Sequence, residues 1–144
     1  MKLKFFYRIT SIMAFLLILC FMTSSLISEF LGDYIIIATV KKSIFYTLPL
    51  LIICMILTGI SARKLALLYP NIPYNLLVIR RVKCIGLTGV VFLAPIATVL
   101  NYLAQNNNLG AMFYLLQSLE IIFGLINITF FIKIFKDEKK LKEN

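Results

Sequence analysis

The fold is decided by residues 84–119, CIGLTGVVFLAPIATVLNYLAQNNNLGAMFYLLQSL, a run that carries no charged side chain. A bilayer core is about 30 Å thick and is crossed by about 20 residues of helix, so this run is too long for a single span. Residues 105–110, QNNNLG, are turn formers and divide it. We therefore expect one membrane span over residues 84–103 and another over residues 111–132.

Two further apolar runs precede this stretch, at residues 9–31 and 43–62, and a basic tail follows it at residues 133–144. The basic residues before the first run are also typical of a secretory signal. That run is longer than a signal core of roughly 7–15 residues, so we expect the first helix to be retained. The sequence thus predicts an all-α, four-helix transmembrane bundle that forms a single integral membrane domain over residues 1–144.

Composition excludes several classes of function. Hydrophobic residues make up 61% of the chain, and the mean hydropathy is +0.96. Soluble domains are roughly 45–50% apolar. A small soluble domain could not bury this much apolar surface, so a soluble enzyme is excluded. The chain has no histidine, which removes the commonest metal ligand and general base. The three cysteines form no CxxC motif and there is no glycine-rich phosphate loop, so we expect no metal site and no cofactor.

The basic residues predict how the bundle is oriented. Thirteen Lys and Arg residues fall in the N-terminus, the loop between the second and third spans and the C-terminal tail, and only Lys41 and Lys42 fall in the first loop, residues 29–42. Because basic loops remain in the cytoplasm, both termini are expected there, in the inner membrane of a bacterium. This bias accounts for the net charge of +9, so no nucleic-acid partner is expected.

The loop between the second and third spans has two apolar arms around a proline-containing turn, with basic residues at its outer ends. Two short interfacial helices and extensions of the spans are both compatible with this pattern, and either would keep the loop associated with the membrane. The basic residues are candidate contacts for anionic lipid headgroups: Arg63, Lys64, Arg80, Arg81 and Lys83.

One polar stripe runs along the fourth span. Gln117, Glu120 and Asn127 share it with Phe113, Gly124 and Phe131 at spacings of three and four residues, which place all six on one helix face. We expect this face to lie inside the bundle or against a partner. Glu120 is either the centre of an ion, proton or substrate site, or part of a helix–helix seam in which it is protonated or bonded to polar groups. No Lys or Arg is expected within a span to pair with it.

The first loop, residues 29–42, contains the run YIIIATV at residues 34–40. This run is expected to lie outside the spans. It would either contact a partner or ligand, or pack on the end of the bundle.

The second half of the chain resembles a family of small four-helix bacterial integral membrane proteins of unknown function. The resemblance rests on an aromatic–Asn turn at Tyr74–Asn75, the stretch RRVKCIG at residues 80–86, and the C-terminal elements IFK at 134–136 and KEN at 142–144. The segments 34–40 and 72–73 depart from the family pattern. The resemblance implies four spans and no particular activity, and proximity of family members to a small helix-turn-helix regulator implies a regulatory or stress role.

Three functions are compatible with these features of the sequence. The first is an accessory, regulatory or interaction protein, with a membrane-protein partner or a second copy of the chain as its ligand. The second is a small ion- or proton-coupled transporter or channel subunit that uses Glu120. The third is a membrane enzyme, for which the sequence offers no cluster of catalytic side chains.

Overall fold

A computed structural model describes residues 2–69 and 73–143, and all of its regular elements are helical. In chain order they are α1 (Lys2–Leu31), α2 (Tyr34–Leu68), α3 (Pro73–Leu87), a π-helical segment (Thr88–Leu93), α4 (Ala94–Gln105) and α5 (Ala111–Glu143). α3, the π segment and α4 follow one another without a break and form the third membrane helix. Four helices are thus long and apolar enough to cross a membrane, so the chain has the architecture of a multi-pass membrane protein.

The connection between α1 and α2 is much shorter than expected. Gly32 adopts a left-handed conformation, with a φ of 68°, that ends α1. The Asp33 side chain accepts a hydrogen bond from the backbone N–H of Ile35 at 2.9 Å, which caps α2. The chain therefore reverses within two residues. The expected loop over residues 29–42 is wrong, because its segment 34–40 forms the first turns of α2.

The third membrane helix widens just before a proline. The backbone N–H of Ala94 donates to the carbonyl of Gly89, five residues earlier, rather than to the residue four earlier. Pro95 follows directly. A proline ring clashes with the carbonyl four residues before it and has no N–H to bond there. One extra residue in the turn relieves the clash, so the distortion at this proline takes the form of a π-helical segment.

The four membrane helices close into a ring. α1 packs on α2 and α5, and the third membrane helix packs on α2 and α5 on the opposite side. The loops Gly32–Asp33 and Asn106–Gly110 lie at one end, which we call the short-loop end; the start of α1, the end of α5 and the α2–α3 junction lie at the other, the termini end. α2 continues to Leu68 and α3 begins at Pro73, so the arms of the predicted loop are helical extensions; its turn at residues 70–72 lies outside the described residues.

Candidate functional site

The polar stripe of α5 lies on the inward face of the bundle. Gln117 and Asn127 are buried, with 2% and 0% of their surface exposed, and Phe113 and Phe131 are buried beside them. The Glu120 side chain is 15% exposed. This burial means that the stripe is packed against the other helices of the same chain rather than against lipid.

Glu120 is paired with a lysine, contrary to expectation. The Nζ atom of Lys41 lies 2.7 Å from Oε2 of Glu120, and the Lys41 side chain is only 1% exposed. The prediction that no basic residue lies within a span to pair with Glu120 is therefore wrong, as is the assignment of Lys41 to a loop. The physical reason is the tight Gly32–Asp33 turn, which starts α2 early and carries Lys41 two turns into the helix.

Every donor of the Lys41 ammonium group has an acceptor. Besides Glu120, Nζ donates to Oγ of Ser25 at 2.7 Å and to Oε1 of Gln117. An ammonium group carries three N–H donors, so these three acceptors use all of them. The centre of the Phe113 ring lies 5.9 Å from Nζ. It adds a weak cation–π contact. Residues of α1, α2 and α5 thus meet around a single buried positive charge.

A second carboxyl group lies close to this cluster. Oε1 of Glu29 is 3.9 Å from Nζ of Lys41, and Oγ of Ser25 donates to Oε2 of Glu120 at 3.4 Å. The Gln117 amide nitrogen is buried and has no hydrogen-bond partner among the described residues. A cavity of about 30 Å³, lined in part by Ser25, Gln117 and Glu120, lies beside the cluster. A cavity of this size has room for about two water molecules.

Asn127 belongs to a separate polar contact, nearer the termini end. Its side-chain oxygen accepts a hydrogen bond from the Thr88 hydroxyl, at the start of the π-helical segment. Its amide nitrogen is buried and has no partner among the described residues. The three polar residues predicted on α5 therefore do not form one site: Gln117 and Glu120 bind Lys41, whereas Asn127 joins α5 to the third membrane helix.

The predicted headgroup residues are not equivalent in the structure. Arg81 forms an ion pair with Asp137 and so joins α3 to α5. Arg63 and Lys83 are exposed and line the same groove between α2 and α3. Lys64 and Arg80 are exposed and do not line that groove. Of the five predicted headgroup residues, only Arg63 and Lys83 thus line this common groove.

Sequence reasoning missed two members of the buried cluster, Glu29 and Lys41. In the described parts of the chain, 2–69 and 73–143, no group of three His, Cys, Asp or Glu residues could hold a metal ion.

Comparisons with protein-family models, with curated proteins and with solved structures gave no match.

Proposed function

We propose that this chain is an accessory, regulatory or interaction protein of the bacterial cytoplasmic membrane, with both termini in the cytoplasm. The observation that carries the proposal is that the Lys41 ammonium group, paired with Glu120, also donates hydrogen bonds to Ser25 and Gln117. A transporter that couples to an ion through Glu120 must release this carboxylate to the proton or ion in each cycle. Here the carboxylate is neutralised by an ammonium group whose other two donors are also bonded, so a coupling ion would have to displace Lys41.

The resemblance to small four-helix bacterial membrane proteins agrees with this proposal, because it implies a regulatory role. Abundant apolar side chains cover the outside of the bundle. The polar groups around Lys41 bond within the chain. The chemistry available for function is therefore binding, through the outer faces of the helices or the basic termini end. The partner is another membrane protein or a second copy of this chain.

Photo-crosslinking in native membranes tests this role. A photoreactive residue is placed in turn at an outward position of each membrane helix: Met13, Ile53, Val99 and Ile122, all of which are exposed. We expect one face to give a discrete protein adduct and the others to give lipid adducts only. An adduct of twice the chain mass would identify the partner as a second copy. Lipid adducts from all four positions would contradict the proposal.

A proton-coupled transporter is the second candidate, and one observation favours it. The cluster holds two carboxyl groups, Glu29 and Glu120, but a single ammonium group, and a cavity lies beside it. A group of this kind can take up one proton without separating the Lys41 pair.

Vesicles that contain the protein and a trapped pH-sensitive dye distinguish the two candidates. The interaction role predicts proton entry no faster than in protein-free vesicles, both for the natural chain and for Glu120→Gln. Proton entry that depends on the protein and is abolished by both Glu29→Gln and Glu120→Gln would put transport in first place. The variant Asp33→Asn, which removes an exposed carboxylate, serves as the control.

A further inference from the structure

An open groove of about 720 Å³ runs between α2 and the third membrane helix, at the termini end. Gly59 and Gly86 line it, and because neither has a side chain the two helices leave space between them. A Cβ atom added at Gly86 would meet nothing within 4 Å, and one at Gly59 would meet only Val82, at 3.9 Å. Ligand pockets typically measure about 300–1,000 Å³, so the groove is large enough for a bound molecule.

The walls of the groove are apolar and its termini end is basic. Ile56, Ile60 and Val90 are among its apolar residues, and Arg63 and Lys83 are its two charged ones. Met55 also lines the groove and precedes Arg63 by two helical turns. At the rise of an α-helix this separation corresponds to about 12 Å of groove along α2 from the charged end.

The two basic residues of the groove are available for a ligand. In the described part of the chain neither Arg63 nor Lys83 forms an ion pair, whereas the neighbouring Arg81 is engaged with Asp137. An Arg and a Lys that line one groove from two helices match the charge of one phosphate group, to which the guanidinium can bond in a bidentate manner.

We propose that this groove binds an anionic phospholipid. Its phosphate lies between Arg63 and Lys83, and an acyl chain lies along the apolar walls against Gly59 and Gly86. Basic pockets between membrane helices bind anionic headgroups in this way, and the apolar length below the charges excludes a free phosphate as the best ligand. The site is independent of the state of the Lys41 cluster and therefore goes beyond the proposed function.

Native mass spectrometry of the full chain in detergent tests the site. The protein is titrated with phosphatidylglycerol and with phosphatidylcholine that carry the same acyl chains, and the fraction with one bound lipid is measured. We expect about tenfold tighter binding of phosphatidylglycerol. The double variant Arg63→Gln/Lys83→Gln should lose this preference, while Lys64→Gln/Arg80→Gln, which removes the same charge from the same two helices, should keep it.

A second variant tests the apolar part of the groove. Gly86→Leu adds a side chain at a position where a Cβ atom would meet nothing within 4 Å, and far-ultraviolet circular dichroism checks that the fold is retained. We expect it to weaken binding of the first molecule of both lipids about tenfold. Equal binding of the two lipids by the natural chain, equal loss in both double variants, or displacement of the lipid by inorganic phosphate would each overturn the proposal.

Discussion

Replacing Lys41 by methionine is the most informative perturbation of the buried cluster. Methionine keeps an unbranched side chain but leaves the Glu120 carboxylate without its cation. The two charged atoms are 2.7 Å apart. At this separation Coulomb attraction amounts to about 6 kcal/mol for an effective dielectric constant of about 20, before the cost of removing both charges from water is subtracted. Breaking a buried pair typically costs about 3–5 kcal/mol, and we expect Lys41→Met to lower the free energy of unfolding by that amount.

A double-mutant cycle isolates the pair from other effects of the substitution. The free energy of unfolding is measured by titrating bicelle-embedded protein with SDS, for the natural chain, Lys41→Met, Glu120→Gln and the double variant. We expect a coupling energy of about 2–4 kcal/mol, because the double variant leaves no uncompensated charge. Lys42→Met is the matched control, since it removes the same charge from the next, exposed residue. It should change stability by less than about 0.5 kcal/mol.

Two results would refute this reasoning. One is a Lys41→Met variant that is no less stable than Lys42→Met. The other is a coupling energy below about 0.5 kcal/mol, which is the range found for residues that do not interact. If Lys41→Met fails to fold, recovery of folding in the double variant still reports the interaction, since only the pair explains why a second substitution rescues the first.

Three further outcomes are expected. An added Cβ at Gly89 would lie only 2.8 Å from Sδ of Met55, whereas the space at Gly86 is open. Gly89→Ala should therefore cost about 1 kcal/mol in the same unfolding assay, and Gly86→Ala should be neutral or slightly stabilising. The pair of Asp137 with Arg81 is partly exposed. Asp137→Asn should thus cost at most about 1 kcal/mol, and the cost should shrink as salt is added. Alkaline phosphatase fused to the C-terminus should be inactive, and alkaline phosphatase inserted in the loop between α4 and α5 should be active, because the two sites lie on opposite sides of the membrane in the proposed orientation. The reverse pattern of activity would contradict that orientation.

The four-helix architecture could be predicted from the sequence because span length and charge-free runs are local properties. The loop Asn106–Gly110 and the start of α5 follow from a cluster of turn formers. The inward placement of the α5 stripe follows from helical spacing, since Gln117 and Asn127 recur with the buried phenylalanines. In each case a single segment holds the information.

The partner of Glu120 lies beyond such local reasoning, because Lys41 is separated from it by 79 positions. Two signals nevertheless point to it. Leu31–Gly32–Asp33 combines a helix-ending glycine with a helix-capping aspartate, which predicts a tight turn. Lys41 also falls on the same face of α2 as Ile37, Ile44 and Leu48, all buried. A lysine on the buried face of one helix and a glutamate on the buried face of another predict a buried ion pair. Whether the two residues lie at the same depth in the bundle depends on how the helices pack.

The same limit applies to the groove between α2 and α3. The basic residues of the loop are visible in the sequence, but which of them remain unpaired depends on the arrangement of the helices. Arg81 meets Asp137 because α3 packs on α5, and this leaves Arg63 and Lys83 at the groove. Selection of two headgroup contacts from five candidates therefore requires the three-dimensional structure.

Infrared spectroscopy of the protein in lipid vesicles tests whether Lys41 holds the Glu120 carboxylate in an ion pair. The spectrum of Glu120→Gln is subtracted from that of the natural chain at one fixed pH, which isolates the carboxyl band of Glu120. We expect this band to shift in Lys41→Met, because that variant removes the cation 2.7 Å from the carboxylate oxygen, and to stay unchanged in Lys42→Met. A Glu120 band that is the same in the natural chain and in Lys41→Met would contradict the ion pair.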